Sequence, residues 1–196
     1  MSDLILHHYP TSPFAEKVRL ILGLKQLAWK SVFIPMIMPK PDLTALTGGY
    51  RKTPVLQIGA DIYCDTALIS DVLEQLAPNP TIFPDAVKGA ARIVTQWADT
   101  ALFTAAMAYN FQPAGVAQVF AGAPAEGVQA FVADRTAMRS GAARMSSTDA
   151  AATYKSYLRR IASMLHGQDF LFGAQPCVAD FAVYHPLWFT QERTPA

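Results

Sequence analysis

The sequence predicts an α/β N-terminal half joined to an all-α C-terminal half. Three observations carry that expectation. Apolar runs and helix-spaced apolar residues alternate as β-α-β-(α)-β-β-α within the first 76 residues. A stretch rich in proline, "APNPTIFP", then interrupts any helix and reads as a linker. Everything beyond it has helical character, without an internal repeat. The expected domains are therefore residues 1–79 and 85–196. With 52% hydrophobic and only 16% charged residues, the chain is set to bury a substantial core.

Each element has its own signal. Leu4 to Tyr9 is an apolar run that reads as a strand. Phe14, Val18, Ile21 and Leu22 fall at the spacing of one helix face. Trp29 to Ile34 alternates bulky and polar residues before meeting Pro35 and Pro39, a second strand. "PKPDLTALTGGY" reads as a short helical turn or loop that ends at Gly48-Gly49. "TPVLQIG" and "DIYCD" meet at Gly59-Ala60, which signals a hairpin. Leu68, Ile69, Val72, Leu73 and Leu76 mark the next helix. Beyond the prolines, one helix is expected from about Lys88 to Phe111. Residues 113–127 read as a loop or broken helix, and a further helix runs from about Glu126 to Arg139. Another starts near Asp149, with Tyr154, Leu158, Ile161, Ala162 and Leu165 on one face and Gly167 as its stop. A last helix follows Pro176.

Composition excludes several classes of function. A formal net charge of +1 gives no global attraction to nucleic acid or an anionic membrane, so neither is expected as a partner. Cys64 and Cys177 lie far apart, and no C-x-x-C occurs, so two reduced thiols are expected. The start, "MSDLILHHYP", lacks the basic region of a signal peptide, and no apolar run reaches the roughly 18 residues of a spanning helix. A cytoplasmic location is the expectation. Nucleotide-binding glycine motifs, the G-x-S-x-G elbow and H-E-x-x-H are all missing from the sequence. Of the four histidines only His7 and His8 are close, and strand neighbours point to opposite faces, so no metal site is expected.

What remains is hydroxyl and acid chemistry at two helix mouths. Ser12 precedes a helix opened by Pro13, where orphan N–H groups and the macrodipole favour an anion. From the residues alone Ser12 is either a plain N-cap or a donor to a bound anion. "RKTPVL" places Pro54 at the start of an apolar strand, where a missing N–H removes no ladder bond. "CDTALI" places Asp65-Thr66 directly before a second helix, with a cap and an acid in place.

Four segments, in order, resemble the cytosolic glutathione transferases. "YPTSPFAEKVRLIL" resembles the catalytic turn and first helix of the tau and omega classes. "KTPVL" is similar to the segment whose proline is cis, and "CDTALIS" to the signature that holds the γ-glutamyl group. "FLFGAQPCVADFAVYHPLW" resembles the folding motif of the family's all-helical domain. The resemblance implies a thioredoxin-like N-terminal domain, glutathione as co-substrate and a homodimer. It implies a reaction that conjugates or adds the glutathione thiolate to a small hydrophobic electrophile, in detoxification. The alternative is a non-catalytic glutathione- or ligand-binding module on the same fold.

Roles follow residue by residue from that resemblance. Ser12 aligns with the active-site Ser of tau-like members and the Cys of omega-like ones, with Pro13 and Phe14 beside it. Thr53, Pro54 and Val55 would present backbone to the cysteinyl part of glutathione, on a strand edge left free by a cis bond. Asp65 suits the α-amine of the γ-glutamyl end and Thr66 its α-carboxylate. Lys40 or Lys52 would pair with the glycyl carboxylate. Tyr9, Phe103 and Met107 would line the electrophile pocket, with Tyr109 and Phe111 near it; an aromatic run at helical spacing is otherwise core. Asp99 resembles an acid that reaches the glutathione amine of a neighbouring subunit in some classes. His8 falls at the position of the catalytic tyrosine of other classes, which leaves Tyr9 a structural role. A free thiol has a pKa of about 8.5. A hydrogen bond from Ser12 at about 1.5–3 kcal/mol and a helix N-terminus at about 0.3–1 kcal/mol would lower it by about one to three units. Serine in place of cysteine favours conjugation over mixed-disulfide exchange.

The sequence also departs from the family pattern. Asp65 is a methylene shorter than the usual Glu or Gln, and Thr66 replaces Ser. Cys177 stands where a Ser or Thr N-cap is usual, and Pro186 is expected to kink the final helix. Only 16 residues follow Asp180, so a shortened helical domain or a fragment is expected.

Overall fold

The computed structural model describes residues 2–138 and 145–193. The chain divides into two compact units, Met1–Lys88 and Gly89–Ala196. The first has a four-stranded mixed sheet and three helices: β1 Leu4–His8, α1 Pro13–Leu24, β2 Lys30–Phe33, α2 Pro41–Thr47, β3 Val55–Ile58, β4 Asp61–Cys64 and α3 Thr66–Leu76. The strand order is β2-β1-β3-β4. β1 and β2 run parallel across α1, as a right-handed crossover requires, while β3 and β4 form an antiparallel hairpin beside β1. This is a thioredoxin-like domain.

Alternation along β1 decides what each face does. Leu4, Leu6 and His8 share one face, and Ile5 and His7 the other. Leu6 packs with a core in which Ala15, Val18, Ile21 and Leu22 of α1, Leu56 of β3, and Ile69 and Leu73 of α3 are fully buried. α1 and α3 pack against each other. Glycine is needed at two turns: Gly48 ends α2 in the left-handed region and Gly59 turns the hairpin at φ 61°.

The proline-rich segment after α3 is held against the first unit. The buried Lys25 ammonium donates to Glu74 and to the carbonyls of Ala77 and Pro80. Glu74 accepts in turn from the Thr81 hydroxyl and from the Ile82 N–H at 3.1 Å. Ile82 and Phe83 are buried. Burial alone would raise the Glu74 pKa. Hydrogen bonds from Lys25, Thr81 and Ile82, with the charge of Lys25, bring it below its ordinary value.

The described residues of the second unit are helical: α4 Lys88–Trp97, α5 Phe103–Asn110, α6 Pro113–Val119, α7 Ala125–Met138, α8 Ser147–Met164 and α9 Val178–Arg193. The single helix expected over Lys88–Phe111 is continuous but wound wider over Ala98–Leu102, a π turn between α4 and α5. The segment expected as a loop or broken helix holds α6. Arg139 lies outside the described residues. α8 buries Ala150, Tyr154 and Ile161, whereas Ala162 and Leu165, expected on the same face, are exposed. Thr190 of α9 joins three helices. It accepts from Asn110 Nδ2 of α5 at 2.9 Å, pairs with Tyr154 Oη of α8 at 2.7 Å, and donates to the Pro186 carbonyl at 3.0 Å. α9 runs through Pro186 without ending. The thiol of Cys177 is not needed as a cap, because the Asp180 carboxylate accepts from the Cys177 and Leu171 N–H groups, each at 2.8 Å. Burial, first of all, pushes the Cys177 thiol up to about 11.

Candidate functional site

Ser12 is the N-cap of α1. It is buried at 2% exposure, and its Oγ accepts from the Ala15 N–H at 3.2 Å. The Ser12 N–H closes the turn onto the Tyr9 carbonyl at 3.1 Å. Pro13 occupies the first helical position and is buried; Phe14 follows, half-buried. A hydroxyl that accepts through one lone pair still has its hydrogen to donate. The cap and the donor readings of Ser12 are therefore compatible in one geometry.

The Thr53–Pro54 bond is cis, and Pro54 and Val55 are buried at the start of β3. β3 lies inside the sheet, with Val55 opposite His7 on one side and Cys64 on the other. Val55 thus offers a ligand the end of a ladder rather than the open strand edge expected from sequence. Lys40 ties this segment to the Ser12 turn. Its buried Nζ donates to Thr53 Oγ1 and to the Arg51 carbonyl, both at 3.2 Å, and lies 5.8 Å over the Tyr9 ring. Lys52 is exposed. Of the two lysines, Lys40 is the one that the fold draws in among Tyr9, Thr53 and Pro54.

The second helix mouth has a different chemistry. Asp65 is exposed and sits at φ 77°, a region a non-glycine residue seldom adopts. Its carboxylate accepts from the Ala67 N–H at 2.8 Å as the N-cap of α3. Thr66 is buried, and its Oγ1 accepts from the Lys17 ammonium at 3.2 Å. Lysine can only donate, so the Thr66 hydroxyl hydrogen is directed elsewhere. The neighbouring Cys64 is a free thiol whose pKa is raised by burial and then by the Asp65 charge.

In the second unit, Phe103 and Met107 lie one turn apart on α5 and are both half-buried. Phe103 packs against the His185 ring with centroids 5.9 Å apart. Asp99, in the π turn, hydrogen-bonds to the fully buried His185 at 3.0 Å, an engagement not foreseen for an acid expected to reach outward. Tyr109 stacks on Tyr154, and Phe111 packs with Phe120, Phe131 and Phe189. Phe111 also borders an open hollow of about 490 Å³ with Pro113, Val116, Met145, Ser146 and Ser147. Among the described residues, no group of three His, Cys, Asp or Glu side chains is arranged to hold a metal ion, and no helix is long and apolar enough to cross a membrane.

Sequence reasoning missed Lys17 and Arg19. Lys17 stands three residues after Phe14 and four before Ile21, so helical spacing already placed it on the buried face. Arg19 gave no such signal, because its partners lie on a strand and a turn.

Comparison with known proteins agrees with this geometry. Residues 6–81 match the family model for the glutathione S-transferase N-terminal domain. A GST-like protein from Pseudomonas syringae is 48% identical over 99% of this chain, with a TM-score of 0.71, and the chain spans 60% of that protein's length. A glutathione S-transferase from Rhodospirillum rubrum F11 shares the fold at 21% identity, over 98% of this chain and 80% of its own, with a TM-score of 0.70. A glutathione transferase homolog from Drosophila mojavensis with bound glutathione does so at 15% identity, over 100% and 81%, with a TM-score of 0.67. No curated protein matches the sequence. The class is thus defined by a thioredoxin-like unit followed by a helical unit. The chain is a glutathione transferase-like protein.

Proposed function

We propose that the N-terminal unit binds glutathione and that Ser12 donates a hydrogen bond to its thiolate, which then adds to a small hydrophobic electrophile. One observation carries this reading: a buried hydroxyl at the mouth of a 12-residue helix accepts from its own helix and keeps its hydrogen to give. Lys40 is the partner for the glycyl carboxylate, Val55 and cis-Pro54 receive the cysteinyl backbone, and Thr66 donates to the γ-glutamyl carboxylate. Glutathione bound to the Drosophila mojavensis homolog supports the choice of ligand. Tyr9, Phe103 and Met107 are assigned to the electrophile. The protein is read as a serine-type, tau-like member that acts as a cytoplasmic homodimer in detoxification.

A second reading has its own observation. The Asp65 carboxylate already caps α3, which weakens its hold on a ligand amine. A module that binds glutathione without activating the thiol fits that feature. Thiolate absorbance of the glutathione complex, followed from pH 5 to 9, separates the two. A bound-thiol pKa well below 8 that returns upward in Ser12→Ala supports the enzyme. Saturable binding with an unshifted thiol supports the module, and lack of binding removes both.

A further inference from the structure

We propose that Arg19 is the positioning residue of the Ser12 turn, holding the Pro10 carbonyl so that Ser12 presents its hydroxyl to the glutathione sulfur. The inference rests on the function proposed above and adds a residue to it. One guanidinium joins three parts of the chain that bracket Ser12. Nη2 donates to the Pro10 carbonyl at 3.0 Å, in the turn itself. Nη1 donates to His8 Nδ1 at 3.0 Å, at the end of β1. Nε donates to Glu16 Oε2 at 2.8 Å, in the first turn of α1. Strand end, turn and helix start are thereby fixed to one rigid plane.

The chemistry requires arginine there. A planar fork reaches several acceptors at fixed angles, whereas an ammonium concentrates its donors on one nitrogen. The histidine partner is equally specific. Arginine only donates, so His8 Nδ1 carries the lone pair, and Nε2–H is left to donate to Ser31 Oγ of β2 at 2.8 Å. The rings of Trp29 and Phe33 meet His8 edge-on. Burial, then the charges of Arg19 and of His7, hold the His8 pKa down at about 4. The groups facing His8 are therefore Arg19 and Glu16 from α1, Ser31 from β2 and His7 from its own strand. His8 stays neutral wherever a thiolate forms. Glu16 balances the Arg19 charge, so Arg19 acts on the thiol through the position of Ser12 and not as a distant cation.

A double-mutant cycle tests this. Arg19→Met is expected to raise the bound-thiol pKa by about one unit and to lower kcat about tenfold. KM for glutathione stays within about twofold, because Pro54, Val55 and Thr66 are untouched. In the Ser12→Ala background the same substitution adds less than about twofold, since Arg19 acts only through Ser12. An unchanged thiol pKa in Arg19→Met, or an equal loss in both backgrounds, overturns the proposal while leaving the glutathione reading in place. An unshifted thiol pKa in the wild-type complex overturns both. Should Arg19→Met not fold, Arg19→Lys carries the same cycle with a smaller first step.

Discussion

The mouths of α1 and α3 differ in the one property that matters for an anion. At α1 the cap is a buried hydroxyl, which accepts from the helix and keeps a hydrogen for a ligand. At α3 the cap is an exposed carboxylate, which only accepts and adds a negative charge to a helix N-terminus. The donor at α3 stands one residue further in, at Thr66, turned outward by the Lys17 ammonium. The difference teaches that two helix starts in one domain take different tasks. The first is built to stabilise a sulfur anion and the second to hold a carboxylate without touching the chemistry.

The largest effect expected is at the first mouth. Ser12→Ala removes a hydrogen bond to an anion of about 1.5–3 kcal/mol, so kcat/KM for conjugation falls roughly ten- to hundredfold. The same substitution lowers unfolding stability by about 1 kcal/mol through the lost cap, read by urea denaturation. If activity is unaffected, the two mouths do not differ as described.

Acid separates the mouths next. The folded His8 pKa of about 4 lies below its ordinary 6.5, so the unfolded chain takes up that proton first. Stability is complete above about pH 6.5 and falls on acidification, by about 2 kcal/mol between pH 7 and 5. Urea midpoints at those two values measure the slope, and His8→Asn is expected to flatten it. Glu74, lowered below its ordinary 4.5, adds stability above that value and loses it only at lower pH, outside this window.

Thr66→Val sharpens the comparison at the second mouth. KM for glutathione rises about tenfold, kcat stays within about twofold, and the bound-thiol pKa does not move. A changed thiol pKa would mean that the division of labour is wrong. The smallest effect belongs to Asp65→Asn. The side-chain oxygen still caps α3 and asparagine tolerates positive φ, so the melting temperature changes by a few tenths of a kcal/mol equivalent at most.

Much of this architecture was legible because its signals are local. Ser12-Pro13 before an amphipathic run marks a helix start, and Gly59-Ala60 between two apolar runs marks a hairpin. Proline after "RKT" marked the segment that the fold brings to Lys40. What escaped was long-range or energetically quiet. Arg19 meets His8 and Pro10 only because α1 folds back over the end of β1. The Ala98–Leu102 turn keeps helical propensity throughout, so nothing in its residues announces the wider winding. Cys177 looked like a lost cap because a cap was sought in its side chain, whereas Asp180 bonds the same N–H from the other end.

That wider turn also fixes how the helical unit can change. A regular helix advances about 100° per residue, and a π turn accommodates one residue more than regular winding does. Deleting one residue within 98–102 would let the helix wind evenly, yet it would rotate everything downstream by that angle. Ala105 and Ala106 would leave the core, Asn110 would lose Thr190, and Phe103 would turn from His185. Point substitutions can accumulate along this helix one at a time, but a change in its length has to arrive together with a repacked α9.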